Sequence, residues 1–185
     1  DDNGESWSTP VTVNTGYYYH VTYCDGIRTA AYDGDGPEID YVIPYHFMET
    51  EDASFQVSVI FSCDAGVTWQ NSDSKIDYEL PASGLEGGPT EAAIAVLSDG
   101  TLKMLMRCQY KEVTWFCEAT SSDNGRTWTQ ATASNITATN GMPALKDYGG
   151  DQILVWAGNN AMGGESYARY PLTIAYSQDD MATWN

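Results

Sequence analysis

Basic residues are scarce in this chain of 185 residues: eight Lys and Arg stand against 26 Asp and Glu, a formal net charge of −18. That imbalance disfavours unassisted binding to nucleic acid or to anionic membrane surfaces, because both would repel the chain. No run approaches the roughly 18 apolar residues needed to span a bilayer, and the acidic N-terminus does not read as a signal peptide. Long helical periodicity is missing as well. The only histidines are His20 and His46, and the cysteines Cys24, Cys63, Cys108 and Cys117 are not at metal-ligand spacing. Cys108 and Cys117 could face each other across a hairpin centred near Glu112, an arrangement open either to free thiols or, in an oxidising compartment, to a disulfide.

Repetition is what the chain has in abundance. The pattern Ser-x-Asp-x-Gly-x-Thr-Trp spans Ser62 to Trp69 (SCDAGVTW) and returns from Ser121 to Trp128 (SSDNGRTW). A decayed copy runs from Ser177 to Trp184 (SQDDMATW), and a partial one, DNGESW, opens the chain and ends at Trp7. The four tryptophans are 56 to 62 residues apart, a period that marks a repeat architecture. Each box residue has a job in a tight turn: the carboxylate accepts backbone N–H bonds, the glycine takes positive φ, and the indole covers the hairpin. With Asp180 and Met181 where the others carry x-Gly, the third turn is expected to be looser. Asp33, Asp35 and Glu38 in YDGDGPEID place carboxylates on a glycine-rich turn of the kind that can hold a structural calcium, although no full twelve-residue loop follows. No other cofactor is indicated, and Asn135-Ile136-Thr137 forms a glycosylation sequon.

Strand signals fill the space between boxes. Tyr17 to Tyr23, Tyr41 to Met48 and Phe55 to Ser62 read as three strands. Glu91 to Leu97, Leu102 to Gln109 and Val113 to Thr120 repeat the order, as do Met142 to Lys146, Ile153 to Trp156 and Leu172 to Ser177. Lys75 to Leu80 and Thr129 to Ala133 are the expected fourth strands. Four antiparallel strands per repeat is the arrangement of a β-propeller blade, so residues 1–185 are expected to form part of one all-β propeller domain, about three blades' worth. Three blades do not close a ring of six. The chain is therefore expected to be a fragment, or to pair as a homodimer that completes a six-bladed ring.

The boxes, with GPTEAAIAVLSDGTLKMLMR (Gly88 to Arg107) and ARYPLTIAYSQDDMATW (Ala168 to Trp184), resemble sialidases and sialidase-like glycoside hydrolases of the Asp-box propeller type, over essentially the whole chain. The resemblance implies a six-bladed fold whose boxes are scaffold, away from the active site. It implies hydrolysis of a terminal sialic acid with retention, by a tyrosine nucleophile, a glutamate that activates it, an aspartate acid/base and three arginines that clamp the substrate carboxylate. Glu91 matches that glutamate, Arg107 the second arginine and Arg169 the third. The remaining members would lie upstream of Asp1 and downstream of Asn185, so the resemblance implies an exo-sialidase-like parent and an inactive isolated chain. It further implies a secreted or periplasmic protein acting on glycans without a metal.

The chemistry of the matched residues is coherent. An arginine grips a carboxylate with a rigid planar fork of donors, and a glutamate beside a tyrosine increases its phenolate character in the transition state. Two other readings stand beside this one. His46 and Tyr45 near an arginine would suit a lyase acting on uronate-containing polysaccharide, the pair moving protons while the arginine neutralises the carboxylate. A propeller that binds carbohydrate without turnover is the third.

Overall fold

The structure, a computed structural model, describes residues 4–13, 16–22, 27–28, 39–78, 87–108, 113–138, 140–148, 150–158 and 171–185. Among these residues every regular element is a β-strand. The first sheet holds β1 (Tyr19–Val21), β2 (Ile27–Arg28), β3 (Tyr41–Met48), β4 (Gln56–Ser62) and β5 (Gln70–Asn71). The second holds β6 (Pro89–Val96), β7 (Leu102–Cys108), β8 (Trp115–Ser121) and β9 (Thr132–Thr137), and the third β10 (Ala144–Tyr148), β11 (Asp151–Ala157) and β12 (Leu172–Ser177). The second and third sheets follow chain order from edge to edge, and every pairing is antiparallel. In the first, β1 and β2 pair with successive parts of β3, opposite the edge taken by β4. No helix of the described residues is long and apolar enough to cross a membrane.

The sheets stack face to face as consecutive blades, and the two cores lie between them. Val42, Val57, Val59 and Phe61 of the first sheet pack with Leu102, Met104, Met106 and Trp128 of the second. On the other side, Ala93, Ala95, Leu105 and Phe116 pack with Leu154, Trp156, Ala175 and Met181 of the third. Met104 and Met106 thus face one neighbour and Leu105 the other, as the two-residue period of a strand requires. A sheet covered on both faces explains why β7 reads as a nearly unbroken apolar run rather than an alternation.

The expected inner strands match the structure to within two residues at each end, except that of Tyr17 to Tyr23 only Tyr19–Val21 forms a strand among the described residues, and the outermost ones are displaced. In the first sheet β5 is Gln70–Asn71, directly after the box, and the stretch from Lys75 keeps a single bridge, Val57 to Ile76. In the second sheet β9 begins at Thr132, beyond the expected start at Thr129. The reason lies in the neighbouring blade. Ala131 donates its N–H to the carbonyl of Asp77, and the Gln130 carboxamide bonds the N–H of Asp77 and the carbonyl of Lys75. The strand cannot start until the chain has left that contact.

Each box is one hydrogen-bonded unit. In the second, Ser121 Oγ donates to Asp123 Oδ1 at 2.8 Å and accepts the Gly125 N–H at 2.8 Å. The Asp123 carboxylate takes the Thr127 N–H at 2.9 Å and its hydroxyl at 2.6 Å, and Trp128 Nε1 donates to the Gly125 carbonyl at 3.1 Å. The first box repeats these bonds from Ser62 to Trp69. To close, the turn needs two successive left-handed residues: Ala65 and Gly66 in the first box, Asn124 and Gly125 in the second.

The third box corrects the expectation of a looser turn. Ser177, Asp179 and Thr183 make the same bonds at 2.6 to 2.9 Å, and Asp180 and Met181 take φ of 58° and 63°. What changes is packing. A Cβ on Gly125 would meet Val42 at 3.1 Å, whereas Met181 is 2% exposed within the core between the second and third sheets. Trp184 Nε1 is buried without a partner, unlike that of Trp69 or Trp128.

Two expectations follow. Relief of the left-handed conformation in Met181→Gly is worth ~1 kcal/mol, but lost burial of the side chain costs ~2–5 kcal/mol, so chemical denaturation should show a net destabilisation of ~1–4 kcal/mol. The Thr183 hydroxyl and N–H and the Ser177 hydroxyl hold the Asp179 carboxyl down at about 2. A carboxylate depressed in the folded state stabilises above its unfolded value of about 3.9, and that contribution disappears as pH falls through about 2. The thermal midpoint should drop over this window and do so less steeply in Asp179→Asn.

Candidate active site

Because strands alternate in direction, Glu91 near the start of β6 and Arg107 near the end of β7 lie at the same end of the second sheet. The boxes lie at the other, where Ser121 pairs with Leu102. Box carboxylates are consumed by their own turns and are remote from this end. Register shifts between Thr90 and Ala93, and within this bulge Glu91 has a φ of 45°. A left-handed glutamate is strained, and the distortion turns its side chain onto Arg107. Both carboxylate oxygens accept from Arg107 Nη1, at 3.1 and 3.0 Å. The pair is largely shielded, with side chains 12% (Arg107) and 15% (Glu91) exposed.

Groups on both sides reach this pair. From the connection that leads into the third sheet, Asn140 Oδ1 accepts from Arg107 Nε at 2.7 Å. Asn140 is itself left-handed, with φ of 52°, and a Cβ on the following Gly141 would lie 2.1 Å from the carbonyl of Ala157. From the first sheet, His46 Nδ1 accepts the Glu91 N–H at 3.5 Å. His46 is buried, edge-on to the Phe55 ring, and burial lowers its pKa, opposed by the Glu91 carboxylate and reinforced by Arg107.

The structure therefore brings Glu91, Arg107 and His46 together and separates Tyr45 from them. Tyr45 follows the strand period to the opposite face of β3, where its hydroxyl donates to Asn71 Oδ1 at 3.4 Å and its ring neighbours Tyr17 and Phe47. Burial pushes its phenol up to about 12. Cys108 and Cys117 are buried free thiols; the Cys108 thiol, then burial, pushes the Cys117 thiol up, away from nucleophilic thiolate chemistry. Arg169, Asp33, Asp35, Glu38 and Cys24 lie outside the described residues. Asn140 escaped the sequence reading, where Asn140-Gly141 carries only a turn signal.

The sequence model of the BNR repeat-like domain matches residues 1–185. The chain belongs to the BNR repeat-like domain family. Among solved structures, this BNR repeat-like chain is similar to a Hadza microbial sialidase at 24% identity and TM-score 0.68, covering 100% of this chain and 34% of the other. An exo-β-1,3-galactanase from Clostridium thermocellum is similar at 14% identity and TM-score 0.55, over 78% of this chain and 31% of the other. The NanB sialidase from Streptococcus pneumoniae is similar at 16% identity and TM-score 0.50, over 86% of this chain and 22% of the other. The chain thus spans about a third or less of these proteins. No curated protein matches significantly. At such identities the likeness establishes the fold, which sialidases and a galactanase share, and leaves chemistry to the site.

The Glu91–Arg107 contact can be measured directly. A double-mutant cycle of Glu91→Gln and Arg107→Gln, read by denaturant unfolding, should give a coupling of ~1–3 kcal/mol, the double variant being less destabilised than the sum of the singles.

Proposed function

We propose that this BNR repeat-like chain supplies part of a sialidase-like exo-glycosidase site for a terminal acidic sugar, sialic acid in the first instance. The observation that carries the reading is Arg107: a shielded guanidinium, fixed at Nε by Asn140 and at Nη1 by Glu91, at the end of the sheet away from the boxes. A guanidinium held this way is pre-organised for a substrate carboxylate. Each carboxylate oxygen of Glu91 keeps lone-pair capacity beyond its bond to Nη1, enough to accept from a tyrosine hydroxyl. Arg169 is assigned as a second clamp. The nucleophile, the acid/base aspartate and the remaining arginine are assigned to a longer protein carrying these residues, so the isolated chain is expected to hydrolyse sialosides negligibly.

On this reading the protein is secreted or periplasmic and meets glycans there. A further blade, or a second copy closing a ring, would cover the exposed Leu172, Ile174 and Tyr176 on the outward face of β12. Nothing in the geometry favours the uronate lyase, since Tyr45 and His46 occupy opposite faces of β3. In the longer protein, Arg107→Ala should lower kcat/KM for a fluorogenic sialoside by ~100-fold. Unchanged turnover would overturn the proposal, and retained glycan binding without hydrolysis would indicate a binding propeller.

A further inference from the structure

We propose that His46 is a positioning residue for Glu91, its neutral imidazole holding the strained backbone that delivers the carboxylate to Arg107. The inference rests on the reading of Glu91 and Arg107 as the site. The two residues are 45 positions apart and on different sheets, joined by the bond from the Glu91 N–H to His46 Nδ1. The bulge between Thr90 and Ala93 removes Glu91 from the regular ladder between β6 and β7, so its N–H must find an acceptor elsewhere. Nδ1 is that acceptor. A left-handed glutamate persists only where its surroundings over-determine it, and this bond, with the carboxylate–guanidinium contact, fixes both ends of the residue.

The arrangement dictates a tautomer. An Nδ1 that accepts places the imidazole proton on Nε2. Protonation at Nδ1 would set donor against donor and bring a second cation close to Arg107. Among the described residues, the charged and titratable groups around the ring include Glu91 of β6, Arg107 of β7 and Tyr19 of β1, whose ring centroid is 6.0 Å away, while Phe55 covers another side at 5.5 Å. Glu91 favours the protonated ring; burial and Arg107 oppose it, and burial is the larger influence. The contact therefore survives into mildly acid solution and is lost as pH falls through a histidine value below the ordinary one near 6.5.

Nuclear magnetic resonance of the 185-residue chain tests this without a substrate. Imidazole nitrogen shifts should show unprotonated Nδ1 and protonated Nε2 at neutral pH. The Glu91 amide proton should titrate with the His46 midpoint. His46→Asn, whose Oδ1 can stand in for Nδ1, should keep the neutral-pH amide shift and abolish the acid titration. His46→Phe should abolish both and speed Glu91 amide exchange by about tenfold or more. A proton on Nδ1, or a Glu91 amide indifferent to His46 titration, would overturn the proposal, and the wild-type and His46→Asn spectra decide this even if His46→Phe does not fold. Intact coupling alongside N-acetylneuraminic acid affinity that is insensitive to Arg107→Ala would uphold the positioning role and overturn the site reading.

Discussion

Everything in this fold depends on a hydroxyl shared within a turn. The serine that ends a strand, Ser62, Ser121 or Ser177, accepts the N–H four residues on and donates to the aspartate two residues on, whose other bonds reach the threonine. The unit closes only if two successive residues are left-handed, and it turns the chain toward the outer edge of its own sheet. It also presents the turn to the preceding sheet. Ser72 donates to the carbonyl of Arg126, Ser74 accepts the N–H of Trp128, and one blade later Asn135 donates to the carbonyl of Ala182. Local turn chemistry and blade stacking are therefore one constraint.

From that constraint the location of the candidate site follows. Fixing the turns at one end leaves the other end free to carry side chains that the scaffold does not consume. There the second sheet breaks its own ladder at Glu91, and both sides contribute a group, His46 of the first sheet to the backbone of Glu91 and Asn140, ahead of the third sheet, to the guanidinium of Arg107. The two left-handed residues of the site, Glu91 and Asn140, are both tied by these contacts. Strain here is local, paired with specific partners, and adjacent to an ion pair.

Much of the fold was legible in the sequence because box residues act within eight positions of one another, and the inner strands alternate or run apolar as their burial dictates. The outer strand of the second sheet starts late because Asp77, Gln130 and Ala131 meet across blades, which local pattern does not encode. Met181 was misread for a related reason: the turn tolerates a left-handed methionine once a core receives its side chain. Glu91 and Arg107 were found through family likeness. Their mutual contact, the bond to His46 and the role of Asn140 each depend on residues far apart in the chain. Tyr45 and His46, adjacent in sequence, were separated by the strand period.

Glycine at 125 and methionine at 181 occupy the same step of the same turn, and the difference between them belongs to the space next door. Beside Gly125 the Val42 side chain already crowds the place a Cβ would take, whereas at 181 a long thioether is buried between the second and third sheets. A signature glycine can accordingly be traded away without the motif losing its shape, provided the seam between two wedges of the wheel takes in the side chain that replaces it.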